Sequence, residues 1–256
     1  MLRLSKRLEM IAKQVPEGSR MADIGSDHAL LPSYLAERGK ISKAVAGEVN
    51  LGPYQAAAKQ VRDAVLGSLI DVRLGDGLAV IQPGEVDVIT IAGMGGALIA
   101  AILEAGQDKL AGVSMLILQP NVGESFVRTW LLEHSWVLIR EQILEEDGKI
   151  YEILTAVPAQ HTELTNGQLY ESRILGAGIT ANEELQLKLG PYFLQEPSAV
   201  WFHKWKLELD KLEMIRGQLA RSSQQETRSK EQLIESEIKQ IKEVLACLQK
   251  DKASFN

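Results

Sequence analysis

Five times between Met21 and Glu133 a short apolar run gives way to a helical pattern, and then the rhythm changes. Two β-rich runs follow, Trp136 to Leu144 and Ile150 to Val157, joined by Glu145-Glu146-Asp147-Gly148, a connection that reads as a hairpin. Alternating strands and helices build a parallel sheet with helices on both faces. Finishing such a sheet with an antiparallel pair is more restrictive than any single motif, because nicotinamide-binding domains usually continue with parallel strands.

The expected strands are Met21 to Ile24, Lys43 to Val49, Ile70 to Leu74, Val86 to Ala92 and Met115 to Gln119. Leu4, Leu8 and Ile11 repeat at helical spacing ahead of the first strand, and Pro16 with Gly18 ends that helix. Pro32 and Pro53 are expected as first helical residues, since proline lacks an N–H that would be unpaired there anyway; Gly39 and Gly67 close the two helices. Helices from Gly96 to Ala105 and Ser125 to Glu133 complete the set.

In a doubly wound sheet, ligands sit outside the carboxyl ends of the strands, where strand order reverses. The residues there are Asp23 with Gly25, Glu48, Asp76 with Gly77, and Gly93 with Met94. Any one of them alone is ordinary turn chemistry. Four sites in register with four strand ends are harder to explain that way. Gly25 lets the backbone approach a ligand, and an ionised Glu48 can accept from both hydroxyls of a ribose. The strand pattern resembles class I methyltransferases, which implies that Asp76 accepts from the adenine amino group of their cofactor and that Asp23 and Asp27 hold its ammonium, directly or through water. Where a third glycine often stands in nucleotide-binding loops, this chain has Asp27-His28, and an acid there repels phosphate. A cationic, zwitterionic cofactor tolerates it.

The seven-stranded pattern resembles class I methyltransferases, whose cofactor is S-adenosylmethionine. The phrases DIGSDHALLP, IAGMGG and LQPN, followed by a hairpin ending KIYEILTA, look more closely like bacterial tRNA methyltransferases of the TrmK type. That resemblance covers about Leu2 to Pro158 and extends more loosely to a C-terminal helical hairpin. It implies methylation of N1 of the adenine at position 22 in the tRNA D-loop. It also implies a division into a methyltransferase domain (1–158), a connector with short helices (159–197) and an antiparallel coiled-coil hairpin (198–250).

The chemistry is mainly positioning: adenine N1 keeps an in-plane lone pair once unpaired and needs no strong base to attack a sulfonium methyl. The base must be extruded and held by its Watson–Crick edge. The loop Ala92 to Gly96 leaves room for a flat ring, while Gln119 and Asn121 offer amides. Many amino-directed methyltransferases carry Asn/Asp-Pro-Pro-aromatic after the fourth strand; Gly93-Met94-Gly95 stands here, which favours a ring nitrogen as target. His28 is a further candidate for contact with cofactor or base, its alternative being a backbone-bonded loop histidine. Asn121 has the alternative of capping the next helix.

The net charge of −6 excludes a globally basic RNA binder. Locally the balance differs: residues 1–197 carry 17 basic and 25 acidic side chains, residues 198–256 carry 11 and 9. Arg3, Lys6 and Arg7 on the first helix, and Arg216 and Arg221 near the tip of the C-terminal hairpin with Arg228 and Lys230, are candidate phosphate contacts; a solvated helix face explains them about as well. Trp201, Trp205, Leu212, Ile215 and Leu219 trace one helical seam and Ile234, Ile238, Ile241, Leu245 and Leu248 another. Tyr170 and its neighbours between the two parts are expected in a helix from Leu169 to Leu175, with another from Glu183 to Leu189. A single cysteine, Cys247, excludes a disulfide framework and a thiolate metal site; no metal and no membrane partner are expected, and the cytoplasm is the expected location. A small-molecule methyltransferase, a nicotinamide oxidoreductase and a non-enzymatic RNA-binding module are the competing readings.

Overall fold

The first helix, α1 (Lys6–Gln14), starts where the extended Ser5 accepts a hydrogen bond from the Leu8 N–H at 3.2 Å. A computed structural model describes residues 2–176, 178–220 and 225–254, the segments 225–227 and 250–254 by backbone alone. After α1 come β1 (Ser19–Ile24), α2 (Leu30–Glu37), β2 (Ile41–Glu48), α3 (Leu51–Asp63) and β3 (Ile70–Leu74). Then follow β4 (Val88–Gly95), α4 (Gly96–Ala105), β5 (Met115–Val122), α5 (Glu124–Glu133), β6 (Trp136–Glu146) and β7 (Lys149–Pro158).

The seven strands form one sheet in the order β3-β2-β1-β4-β5-β7-β6. The first five are parallel; β7 runs antiparallel to both β5 and β6. Chain progression reverses between β1 and β4, so the switch point lies where Asp23 pairs in register with Thr90. The central strands are apolar on both faces because helices cover both: Ile89, Ile91, Ile117 and Leu118 are fully buried.

Helices α2 and α3 begin two residues before Pro32 and Pro53, which therefore occupy third helical positions rather than first ones. The reason is that the first four N–H groups of a helix lack internal partners, so proline fits anywhere in that turn. Within the same unit, α5 inserts Arg128 between the hairpin strands. Its guanidinium meets Glu141 at 2.6 Å and Glu152 at 2.5 Å, with all three side chains at most 1% exposed.

The chain divides after Leu169 into two compact units. The first ends with α6 (Asn166–Leu169), and the expected helix from Leu169 to Leu175 does not form. Instead β8 (Arg173–Leu175) pairs antiparallel with β9 (Ile179–Ala181), with Gly178 at φ +89° in the turn between them. Next are α7 (Glu183–Leu189), capped by Asn182 accepting from the Leu185 N–H, and α8 (Pro191–Gln195). Two long helices finish the chain, α9 (Ala199–Leu219) and α10 (Gln225–Ser254).

Their pairing is antiparallel: Glu213 bonds Lys242 while Arg216, further along α9, meets Glu235, further back on α10. Trp201, Trp205 and Leu209 on one helix and Ile238, Ile241, Leu245 and Leu248 on the other are buried. Leu212, Ile215 and Leu219, expected in the first seam, are only half-buried. Arg221 and the rest of the link to Gln224 lie outside the described residues.

Candidate active site

Asp23 near the end of β1, Glu48 at the end of β2 and Thr90 within β4 form a buried polar cluster at the switch point. Asp23, 5% exposed, accepts from the Ser26 hydroxyl at 2.6 Å and the Thr90 hydroxyl at 2.5 Å. Burial pushes its carboxyl above the usual carboxylate range, against the pull of those two hydroxyls and the Arg7 charge. Glu48, at the end of β2, is 7% exposed and is likewise pushed up, first by burial and then by the nearby Asp23 and Asp27 charges. The Asp27 backbone N–H bonds its carboxylate, yet Glu48 Oε1 is buried with no partner. A buried acceptor left unpaired is costly, and a ligand hydroxyl is the natural donor for it.

The loop from Gly25 to Ala29 wraps this cluster in a strained conformation. Asp27, His28 and Ala29 have φ of 42°, 63° and 55°, three consecutive residues in the left-handed region, at a cost of about 1–2 kcal/mol each. Such strain persists where the surroundings over-determine it, characteristically at ligand clamps. Gly25, at φ +68°, is hydrogen-bonded through its N–H to Gly47 O at 2.9 Å, and a Cβ there would overlap Met94 Cε. Gly25 and Met94 therefore meet across the switch point. The Asp27 and His28 side chains point outward, 79% and 56% exposed and 3.7 Å apart.

On the other side of the switch point, the expected loop from Ala92 to Gly96 is instead the irregular end of β4 running into α4, its register shifting around Gly93 at φ +80°, and β5 holds it. Gln119 Oε1 accepts from the Gly93 N–H at 3.1 Å and from Arg7 Nη1 at 2.6 Å, and its Nε2 donates to Pro120 O and to Asn121 Oδ1. Asn121 Nδ2 in turn donates to Gly93 O at 2.7 Å. Gln119, expected to present its amide to the substrate, is fully buried with every amide group occupied within the protein; it holds the loop instead. Asn121 is exposed, and its expected alternative as a helix cap is not realised, because α5 is capped by Gly123 without a side-chain bond.

Arg7 reaches this site from α1, its guanidinium 5.4 Å from the Tyr151 ring centre. Glu146 on the hairpin accepts from the Lys6 and Arg7 backbone N–H groups, which holds its carboxyl below the usual range. Sequence reasoning missed this brace and the Thr90–Asp23 bond. Thr90 was legible in one respect: it is the lone polar residue in the run VITIA. Arg3 and Lys6 are exposed, as a phosphate-binding face requires.

Asp76 and Gly77 stand beyond the end of β3, brought to the rim by the Glu48–Leu74 register and the Gly75 N–H bond to Glu48 O at 2.9 Å. Asp76 borders a cavity of about 370 Å³ also lined by Leu98, Ile102 and Lys109. A second cavity, of about 280 Å³, lies at the amino ends of the strands; Arg20, Arg73, Asp71 and Glu85 around it are taken up in ion pairs with Asp87 or one another. That is the wrong end of the sheet for a ligand of this fold. Among the described residues no group of three His, Cys, Asp or Glu side chains could hold a metal ion, and no helix is long and apolar enough to cross a membrane.

The strand order, the closing hairpin and the acid-lined switch point define a Rossmann-like methyltransferase fold. The family model for TrmK, tRNA (adenine(22)-N(1))-methyltransferase, matches residues 21–243, and the chain belongs to that family. It is 47% identical over 225 residues to the tRNA (adenine(22)-N(1))-methyltransferase of Bacillus subtilis, covering 88% of this chain and 89% of that one. The crystal structure of B. subtilis TrmK superposes with a TM-score of 0.86 at 44% identity, covering 96% of this chain and all of the other. A Streptococcus pneumoniae protein solved with S-adenosyl-L-methionine superposes with a TM-score of 0.78 at 42% identity, over 95% and 100% of the two chains. M. capricolum TrmK, solved with S-adenosylhomocysteine, gives 0.77 at 26%, over 95% and 98%.

Proposed function

We propose that the rim formed by β1, β2 and β3 holds S-adenosylmethionine and that the chain transfers its methyl group to N1 of adenine 22 in tRNA. The observation that carries the cofactor site is Glu48: a buried carboxylate whose Oε1 lacks a donor suits the ribose hydroxyls. Asp76 accepts from the adenine amino group. Asp23 takes the ammonium from within and Asp27 from the mouth of the pocket, while Gly25 and Gly77 let backbone come close. Gly93 and Met94 border the methyl donor, whose sulfonium supplies an activated methyl when bound.

Adenine N1 attacks in line with its lone pair. The N–C bond forms as the C–S bond breaks, and that electron pair stays on sulfur as a neutral thioether. The methylated base keeps the positive charge, so no proton has to leave and no general base is required. What the protein contributes is position: Asn121 and the fixed loop at Gly93 confront the base, with His28 at the opposite lip. Residues 1–158 carry this chemistry, residues 159–197 connect, and the helical pair within 198–250 braces the RNA. Arg3, Lys6 and Arg7 on one unit and Arg216 and Arg221 on the other meet phosphates. The cytoplasm is the location this reading favours, since a tRNA substrate is found there.

The test is methyl transfer from labelled cofactor into unmodified tRNA, followed by mass spectrometry of the nucleosides for the modified atom and of nuclease fragments for its position. N1-methyladenosine at position 22 is the expected product. Label in another nucleoside, or none, overturns the reading.

A further inference from the structure

The Phe, Trp and Tyr side chains of this chain are few; among the described residues Phe126 is the one of them that is exposed, at 58%. Leaving a Phe in water forgoes about 1.5–3 kcal/mol of burial, so its location matters. Phe126 sits in the first turn of α5, its N–H bonded to Gly123 O at 3.1 Å. A Cβ on Gly123 would lie 3.1 Å from Phe126 Cδ2, so the ring lies over that glycine rather than in the core. Gly123 itself abuts the start of α4: a Cβ on Gly96 would overlap Gly123 O. Two residues before Gly123, Asn121 holds Gly93 O at 2.7 Å. Val122, the last residue of β5, is also exposed, at 62%. A flat apolar ring is thus displayed where the end of β5 abuts the start of α4, next to the stretch that the proposed function assigns to the target base.

Resting on the function proposed above, we propose that Phe126 is a stacking platform for the nucleobase adjacent to the methylated adenine. Extruding the target removes one face of its neighbour's stack, at a cost of a few kcal/mol. An aromatic side chain at the mouth restores that face, and it does so for any base, because every base has a π-face. Phe126 is a positioning residue in this account; it touches neither the methyl group nor the attacking nitrogen.

The test uses the full chain with tRNA carrying 2-aminopurine, whose fluorescence is quenched by stacking, at the target or at either neighbouring nucleotide. With the native protein one neighbour stays quenched in the complex. Phe126→Ala is expected to brighten that neighbour and to raise KM for tRNA on the order of tenfold, with S-adenosylhomocysteine affinity unchanged; Phe126→Trp restores both readings. An unchanged neighbour signal and KM in Phe126→Ala overturns the platform, as does a response confined to the target position. Failure of the underlying assignment looks different: the native protein would then bind no S-adenosylhomocysteine or methylate no tRNA.

Discussion

At Glu48 a buried carboxyl with one unpartnered oxygen holds its proton above the usual carboxylate range, and two consequences follow in opposite directions. Folding takes up a proton there, so this group favours the empty fold most in acid. That contribution is lost as pH rises from the ordinary carboxylate value through the raised one. Cofactor binding needs the ionised form, whose oxygens accept the ribose hydroxyls, so affinity for S-adenosylhomocysteine should fall as pH drops below the raised value. Glu48→Gln should bind more weakly and with a flatter pH profile, with the remaining slope belonging to Asp23, which is shifted the same way. Calorimetry across a pH series checks this; equal slopes in the two proteins would remove Glu48 from the ribose. The acids and glycines of this rim were legible in the sequence because strand ends in a doubly wound sheet converge by topology. What Gln119 does was not, since an amide beside a candidate site looks the same whether it faces substrate or, as here, supports a backbone loop.

Elements were read from periodicity nearly as they stand in the structure, β3, α4 and α7 to the residue. Helix α3 ends at Asp63 rather than running to the expected Gly67, Val65 taking the left-handed conformation after it; two other failures share a cause. Pro32 and Pro53 mark a first turn without marking its first residue, and Arg173 to Ala181 is too short for its period to separate strand from helix. No period at all reports the Arg128–Glu141–Glu152 cluster, which binds α5 to the β6–β7 hairpin and so keeps the far edge of the sheet in place. Removing one partner from a buried ion cluster strands the others. Arg128→Met should lower unfolding free energy by about 3–5 kcal/mol in urea titration, whereas Arg128→Met with Glu141→Leu and Glu152→Leu should recover most of the loss. Equal destabilisation by both would show that shape, not charge, is what the cluster supplies.

For the molecule as a whole, the acidic balance means that tRNA must be gripped at particular faces. Arg3 and Lys6 are exposed on the first unit, Arg228 and Lys230 on α10 of the second. Reversing either pair to glutamate should weaken tRNA binding and reduce the slope of log affinity against log salt by about 2, with S-adenosylhomocysteine binding unaffected. A full-strength slope in the α10 variant would leave the helical pair a structural or protein-binding element. The sequence showed these charges but not their geometry, because solvated and phosphate-binding faces have the same pattern. Helix α1 is tethered to the site at two points, its first N–H groups to Glu146 and Arg7 to Gln119, which also holds Gly93. A nucleic acid that shifts that helix therefore shifts the wall of the donor chamber, and thermodynamic reciprocity makes whatever factor it imposes on cofactor affinity the factor by which the filled chamber changes the grip on RNA.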